Sequence, residues 1–105
     1  MKDNLKNNNI NYLFKAILSL ENLEECYNFF DDLCTIAEIN EMSKRFEVAR
    51  LLRKNVIYND IAEQTGLSTA TISRVNRCLK YGSDGYIKIL DRLELLEERE
   101  RFERS

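Results

Sequence analysis

Apolar residues recur at intervals of three and four over most of the chain, the spacing that places side chains on one face of an α-helix. Tyr12, Leu13, Ala16, Ile17 and Leu20 predict a first helix, and Leu23, Cys26, Tyr27, Phe29, Phe30 and Leu33 a second over about residues 22–33. Thr35-Ile36-Ala37-Glu38 has the form of a capping box, in which threonine hydroxyl and glutamate carboxylate each satisfy a free amide of the other. It predicts a third helix reaching about Lys54, with Ile36, Ile39, Met42, Phe46, Ala49 and Leu52 as its buried stripe. Arg50, Arg53 and Lys54 then suit the negative end of its dipole. A last helix follows Gly82-Ser83-Asp84-Gly85 and is expected to bury Tyr86, Ile87, Leu90 and Leu93. No alternating apolar and polar stretch bounded by turn residues stands out, so the pattern predicts an all-α protein of about six helices.

Composition agrees. The 105 residues contain no proline and three glycines, Gly66, Gly82 and Gly85, so the usual interruptions of helices are scarce. The pattern divides the chain into a flexible polar arm over 1–10, one helical domain over 11–96 and a charged tail over 97–105. In the tail, Glu97/Arg101 and Glu100/Arg104 have the spacing of favourable pairs on a solvated helix. The start has no apolar core of a signal peptide, and no apolar run approaches the roughly 20 residues that span a membrane. A cytoplasmic location is expected.

Chemistry-bearing residues are few. The chain has no histidine, and Cys26, Cys34 and Cys78 form neither an even set nor a C-x-x-C pair. Reduced, half-buried thiols are expected, with no metal site and no cofactor. There is no glycine-rich phosphate loop, and the carboxylates have cationic neighbours on solvated faces, so the sequence does not predict an enzyme.

Net charge is only −2, but its distribution is uneven. Residues 1–43 carry net −5, residues 44–80 net +5, and residues 81–105 net −2. The basic segment holds Lys44, Arg45, Arg50, Arg53, Lys54, Arg74, Arg77 and Lys80 against Glu47, Asp60 and Glu63. Such a concentration suits phosphate binding, although a solvated face alone also produces it.

The basic segment surrounds a helix-turn-helix pattern over residues 58–80. That motif needs a small residue where its two helices cross, and Ala62 supplies one. It needs a residue tolerant of positive φ in the turn, and Gly66 lies four positions later. Ile61, Leu67, Ile72 and Val75 are placed to pin the second helix, and Ser68 to cap it through the amide of Ala70 or Thr71. The first motif helix has Ile57 where a capping serine or threonine is usual, so its first turn is expected to fray. With Ile72 and Val75 inward, Thr69, Ala70, Ser73 and Arg77 turn outward and Arg74 lies at the edge. Hydroxyls can reach base edges and the Ala70 methyl a thymine methyl. Arg77, Lys80 and Asn59 suit phosphates. The candidate DNA contacts are thus Asn59, Ser68, Thr69, Ala70, Ser73, Arg74, Arg77 and Lys80.

The turn and second helix, Gly66-Leu67-Ser68-Thr69-Ala70-Thr71-Ile72-Ser73-Arg74, resemble those of the Trp repressor family, with Leu79-Lys80 at the matching distance. Phe29-Phe30-Asp31-Asp32-Leu33-Cys34-Thr35, Arg45-Phe46-Glu47-Val48-Ala49 and residues 69–82 look like its YerC/YecD branch. The resemblance covers about residues 10–95. It implies an intertwined homodimer whose two reading heads enter successive major grooves about 34 Å apart, acting as a transcription regulator and, by analogy, a repressor. It also implies a candidate effector pocket at Lys44, Arg45, Thr71, Arg74, Val75 and Cys78. Thr71 and Arg74 match the family's tryptophan-binding pattern. Val75 replaces a glycine that makes room for the indole, and Cys78 replaces a serine. The resemblance therefore predicts that tryptophan is not the effector and leaves open whether another small molecule is sensed. Two other readings stay beside this one: a helical protein-interaction module, and an architectural DNA binder with little sequence preference.

Overall fold

The computed structural model of the protein describes residues 2–104; Met1 and Ser105, the outer ends of the expected arm and tail, lie outside the described residues. Among the described residues there are six α-helices and no strand: α1 (Asn8–Leu18), α2 (Leu23–Leu33), α3 (Ile36–Arg53), α4 (Tyr58–Thr65), α5 (Thr69–Tyr81) and α6 (Gly85–Arg104). The chain divides into two compact units between Asn40 and Glu41, inside α3, where the sequence pattern suggests one domain over 11–96.

In the first unit the polar start contains local helical structure. Lys2–Leu5 is a 3₁₀ turn, and α1 begins at Asn8 because the extended Asn7 caps it, its side chain accepting the Ile10 amide at 2.9 Å. Asn22 caps α2 in the same way through the Glu25 amide. Both caps satisfy amides that the first turn of a helix leaves free. Leu13, Ala16, Ile17 and Leu20 are half-buried as their spacing implies, while Tyr12 is exposed. An apolar groove is lined by Leu23, Cys26, Tyr27, Phe30, Ile36 and Ile39.

The expected capping box is formed. The Thr35 amide donates to the Glu38 carboxylate at 2.9 Å, and the Glu38 amide to the Thr35 hydroxyl at 3.1 Å. The buried stripe of α3 differs from the expected one. Ile36 is 77% and Met42 41% exposed, whereas Val48, Ala49 and Leu51 are buried. Periodicity shows that a face is apolar but does not identify what covers it, and the buried residues of α3 lie in its last turns.

That core consists of Val48, Ala49, Leu51, Ile61, Ile72, Val75 and Leu90, with Phe46, Leu52, Val56, Tyr58, Ala62, Leu67, Leu79 and Tyr86 packed around it. Burying a valine, leucine or isoleucine side chain stabilises by about 1.5–3 kcal/mol. An exposed ion pair contributes about 0–1 kcal/mol, so the apolar cluster sets the helix positions. Of the residues expected inward on α6, Leu90 is buried and Tyr86 and Ile87 are half-buried, but Leu93 is exposed. The tail from Glu97 to Arg104 continues α6 as helix.

Two left-handed residues shape the route into the motif. Asn55 (φ 62°) ends α3, its amide donating to the Leu52 carbonyl at 3.0 Å and the Val56 amide to the Leu51 carbonyl at 3.1 Å. This paired bonding is a Schellman ending, and Leu51 and Val56 both belong to the core or its rim. Gly66 (φ 74°) ends α4, its amide donating to the Ala62 carbonyl at 2.8 Å.

Two outcomes follow from these local features. Gly66→Ala places a Cβ in the left-handed region and is expected to cost about 1–2 kcal/mol in chemical denaturation. Hydrogen bonds from the Thr35 amide and hydroxyl hold the Glu38 carboxyl below its ordinary pKa. A depressed folded-state pKa means that the stabilisation is complete above the unfolded-state value and lost as pH falls through the folded-state value. Carboxyl NMR titration should give a Glu38 midpoint below the usual glutamate range, with first-turn amides of α3 losing protection across it.

Candidate nucleic-acid interface

The second motif helix is fixed in three ways. Ser68, extended at φ −70° and ψ 155°, accepts the Thr71 amide at 3.2 Å, one of the two bonds its position permits. Its hydroxyl lies 3.0 Å from that of Thr71 and shares a hydrogen bond with it. Ile72 and Val75 are then buried with Ile61 and the end of α3, which sets the rotation of α5 about its axis.

The turn has a brace that the sequence pattern does not reveal. Thr65 is buried, and its hydroxyl donates to the Ile61 carbonyl at 2.7 Å while accepting the Leu67 amide at 3.3 Å. A threonine can do both because its oxygen is at once donor and acceptor. The left-handed Gly66 is thereby spanned by a side-chain bond. By contrast α4 starts at the extended Ile57 with no side-chain cap bond, as its sequence implies.

With this rotation, Thr69, Ala70, Ser73, Arg74, Arg77 and Lys80 are all exposed on α5. Ala70, Ser73, Arg74 and Arg77 lie on the side opposite Ile72 and Val75, because the helix turns about 100° per residue. Ser68 at the cap and Asn59 in the first turn of α4 are exposed too. Tyr81, absent from the sequence-based set, follows Ala70, Arg74 and Arg77 at steps of three and four and is 83% exposed. Its spacing was the available signal.

The basic charge is only partly free. Arg50 is held by Glu47, its Nε donating at 3.0 and 3.1 Å to the two carboxylate oxygens. That pairing lowers the Glu47 pKa and raises that of Arg50. Arg53 is held by Asp91 and Glu94 of α6. Neither arginine acts simply as a partner of the α3 dipole. Lys44, Arg45, Arg74, Arg77 and Lys80 form no ion pair among the described residues, so their charge stays available to an anion.

The candidate effector positions are arranged differently from a vacant pocket. Val75 is 3% exposed and belongs to the core. The Thr71 hydroxyl is engaged with Ser68. Lys44, Arg45, Arg74 and Cys78 are exposed. Cys78 therefore departs from the expected half-buried thiol, whereas Cys26 and Cys34 are half-buried, and all three are free. The described residues hold no group of three or more histidine, cysteine or carboxylate side chains suited to a metal ion. No helix among them is long and apolar enough to cross a membrane.

Comparison with known proteins gives this geometry a context. The sequence pattern of the Trp repressor protein family matches residues 8–94. The chain is 56% identical over 95 residues to YerC of Bacillus subtilis, an uncharacterised protein, covering 90% of this chain and 91% of YerC. The crystal structure of a TrpR-like protein from Eubacterium eligens superposes with a TM-score of 0.84 at 58% identity, covering 88% of this chain and 95% of that one. A candidate Trp repressor from Staphylococcus aureus superposes with a TM-score of 0.83 at 50% identity, covering 88% and 92%. A braced turn, a capped second helix pinned by Ile72 and Val75, and these matches over most of the chain lead to one conclusion: this all-α protein belongs to the Trp repressor family, in its YerC-like branch.

Proposed function

We propose that this protein is a cytoplasmic, homodimeric transcription regulator that binds double-stranded DNA sequence-specifically through α4 and α5, acting as a repressor. The observation that carries the reading is the outward face of α5. Small side chains near its start, Thr69, Ala70 and Ser73, allow close approach to base edges in a major groove. Unpaired cations, Arg74, Arg77 and Lys80, flank them where phosphates would lie. Large apolar side chains, which a protein-docking face would require, are missing from this arc apart from Tyr81 at its far end. A second copy would supply a second α5, and two such helices about 34 Å apart match one turn of DNA.

Recognition is independent of tryptophan in this reading. Val75 occupies core space, and removing a core side chain from its neighbours to admit an indole costs several kcal/mol. Thr71 and Ser68 already satisfy each other, so the start of α5 is set without a ligand.

Two measurements test the proposal. Binding to duplex DNA should weaken with salt at a slope of about 0.9 per phosphate contacted, and Arg77→Ala should weaken it on all sequences while reducing that slope by about one. A flat salt response would remove DNA as the partner and favour the protein-interaction reading. Calorimetry with free tryptophan should give no heat of binding, and adding tryptophan should leave the DNA affinity unchanged. A complex of one tryptophan per subunit at micromolar affinity would contradict the account of Val75.

A further inference from the structure

Arg53 lies in the basic segment, where its sequence position suits it to the negative end of the α3 dipole. Its geometry assigns it another task. From the last turn of α3, one guanidinium nitrogen donates to the backbone carbonyl of Ile87 at 3.2 Å. A second is bonded to the Asp91 carboxylate, and Nε lies 3.4 Å from the Glu94 carboxylate. The three acceptors span the first half of α6, and the arginine side chain is only 29% exposed. The planar fork meets these acceptors from three separate nitrogens, whereas an ammonium offers all its donors from a single nitrogen on a flexible stem.

The anchored part of α6 is joined to the recognition helix by the short turn 82–84. That turn has little slack. The Gly82 amide donates to the Cys78 carbonyl at 2.9 Å, and a Cβ on Gly82 would collide with that same oxygen. Asp84 is left-handed at φ 63°, and its carbonyl accepts the Lys88 amide at 3.1 Å, starting α6. Leu90, within the clamped stretch, is buried in the cluster that holds Ile72 and Val75. Moving α6 therefore moves the end of α5 that carries Arg77 and Lys80.

We propose that Arg53 is a positioning residue for DNA binding, clamping α6 through Ile87, Asp91 and Glu94 so that α5 is presented in a fixed orientation, an inference that rests on the DNA-binding reading above. It touches no phosphate. Its effect passes through α6, and Asp91 shares the role despite its negative charge.

The test compares wild type with Arg53→Lys, Arg53→Ala and Asp91→Asn at a temperature where circular dichroism shows all four folded. The probe is a DNA duplex of about three helical turns, titrated over a range of salt. Arg53→Lys and Asp91→Asn should each weaken binding by roughly two- to thirtyfold, the range of couplings carried through packed elements, with the salt slope unchanged. Arg53→Lys at wild-type affinity, tighter binding by Asp91→Asn, or a slope reduced by about one in Arg53→Ala would each overturn the clamp in favour of a plain charge. Amide exchange gives a readout that does not depend on DNA. In Arg53→Lys, amides 79–88 should exchange faster while those of α4 do not change. Should wild type fail to bind the duplex, the functional reading falls and exchange alone decides the clamp: unchanged exchange over 79–88 overturns it.

Discussion

Burial of Ile72 and Val75 against Ile61, Leu90 and the last turns of α3 is the constraint on which the rest of this protein's surface chemistry depends. The two side chains lie on adjacent turns of α5, and placing them inward fixes the helix rotation to within the width of one apolar stripe. Everything on the opposite side then follows: the hydroxyls and the Ala70 methyl near the start, the cations further on. No polar contact in the motif is strong enough to set that rotation. Each net hydrogen bond adds only about 0.5–1.5 kcal/mol, less than either buried aliphatic. The polar contacts refine what burial decides. Ser68 fixes where α5 begins, and Thr65 and Gly66 fix the angle at which the chain enters it.

The same burial bears on the proposal that recognition is independent of tryptophan. Val75, placed by the family resemblance at a candidate effector pocket, is buried and takes part in the core. Stability and ligand response compete for that space. A β-branched side chain with one preferred helical rotamer fills that space and holds α5 against the core. Charge is divided in a comparable way. Arg50 and Arg53 are drawn into ion pairs with Glu47, Asp91 and Glu94, while Arg74, Arg77 and Lys80 stay available. Net charge near zero is thus compatible with a basic working face.

What was legible in the sequence was local. The Thr35/Glu38 box, the Ser68 cap and the left-handed Gly66 each involve residues within four positions of one another, and each was correctly placed. The inward set Ile61, Ile72 and Val75, and with it the exposure of the α5 face, followed from a spacing only one geometry satisfies. What depended on distant partners was not legible. Arg53 and Asp91 are 38 residues apart, and nothing in the pattern pairs them. The stripe through Ile36 and Met42 was apolar as read, but exposed, because periodicity carries no information about the covering surface. Thr65 carries no local sequence signal of its role. Its double hydrogen bond across the turn exists only once the turn is folded.

The central claim is that α5 reads DNA in an orientation set by the core rather than by a ligand. The most direct measurement is selection of genomic DNA fragments on the purified protein at about 150 mM salt without added tryptophan, since salt sets the non-specific background. The account predicts enrichment of a two-fold symmetric sequence with half-sites about one helical turn apart. Recovery of fragments with no shared sequence, or of none above background until a small molecule is supplied, would contradict it.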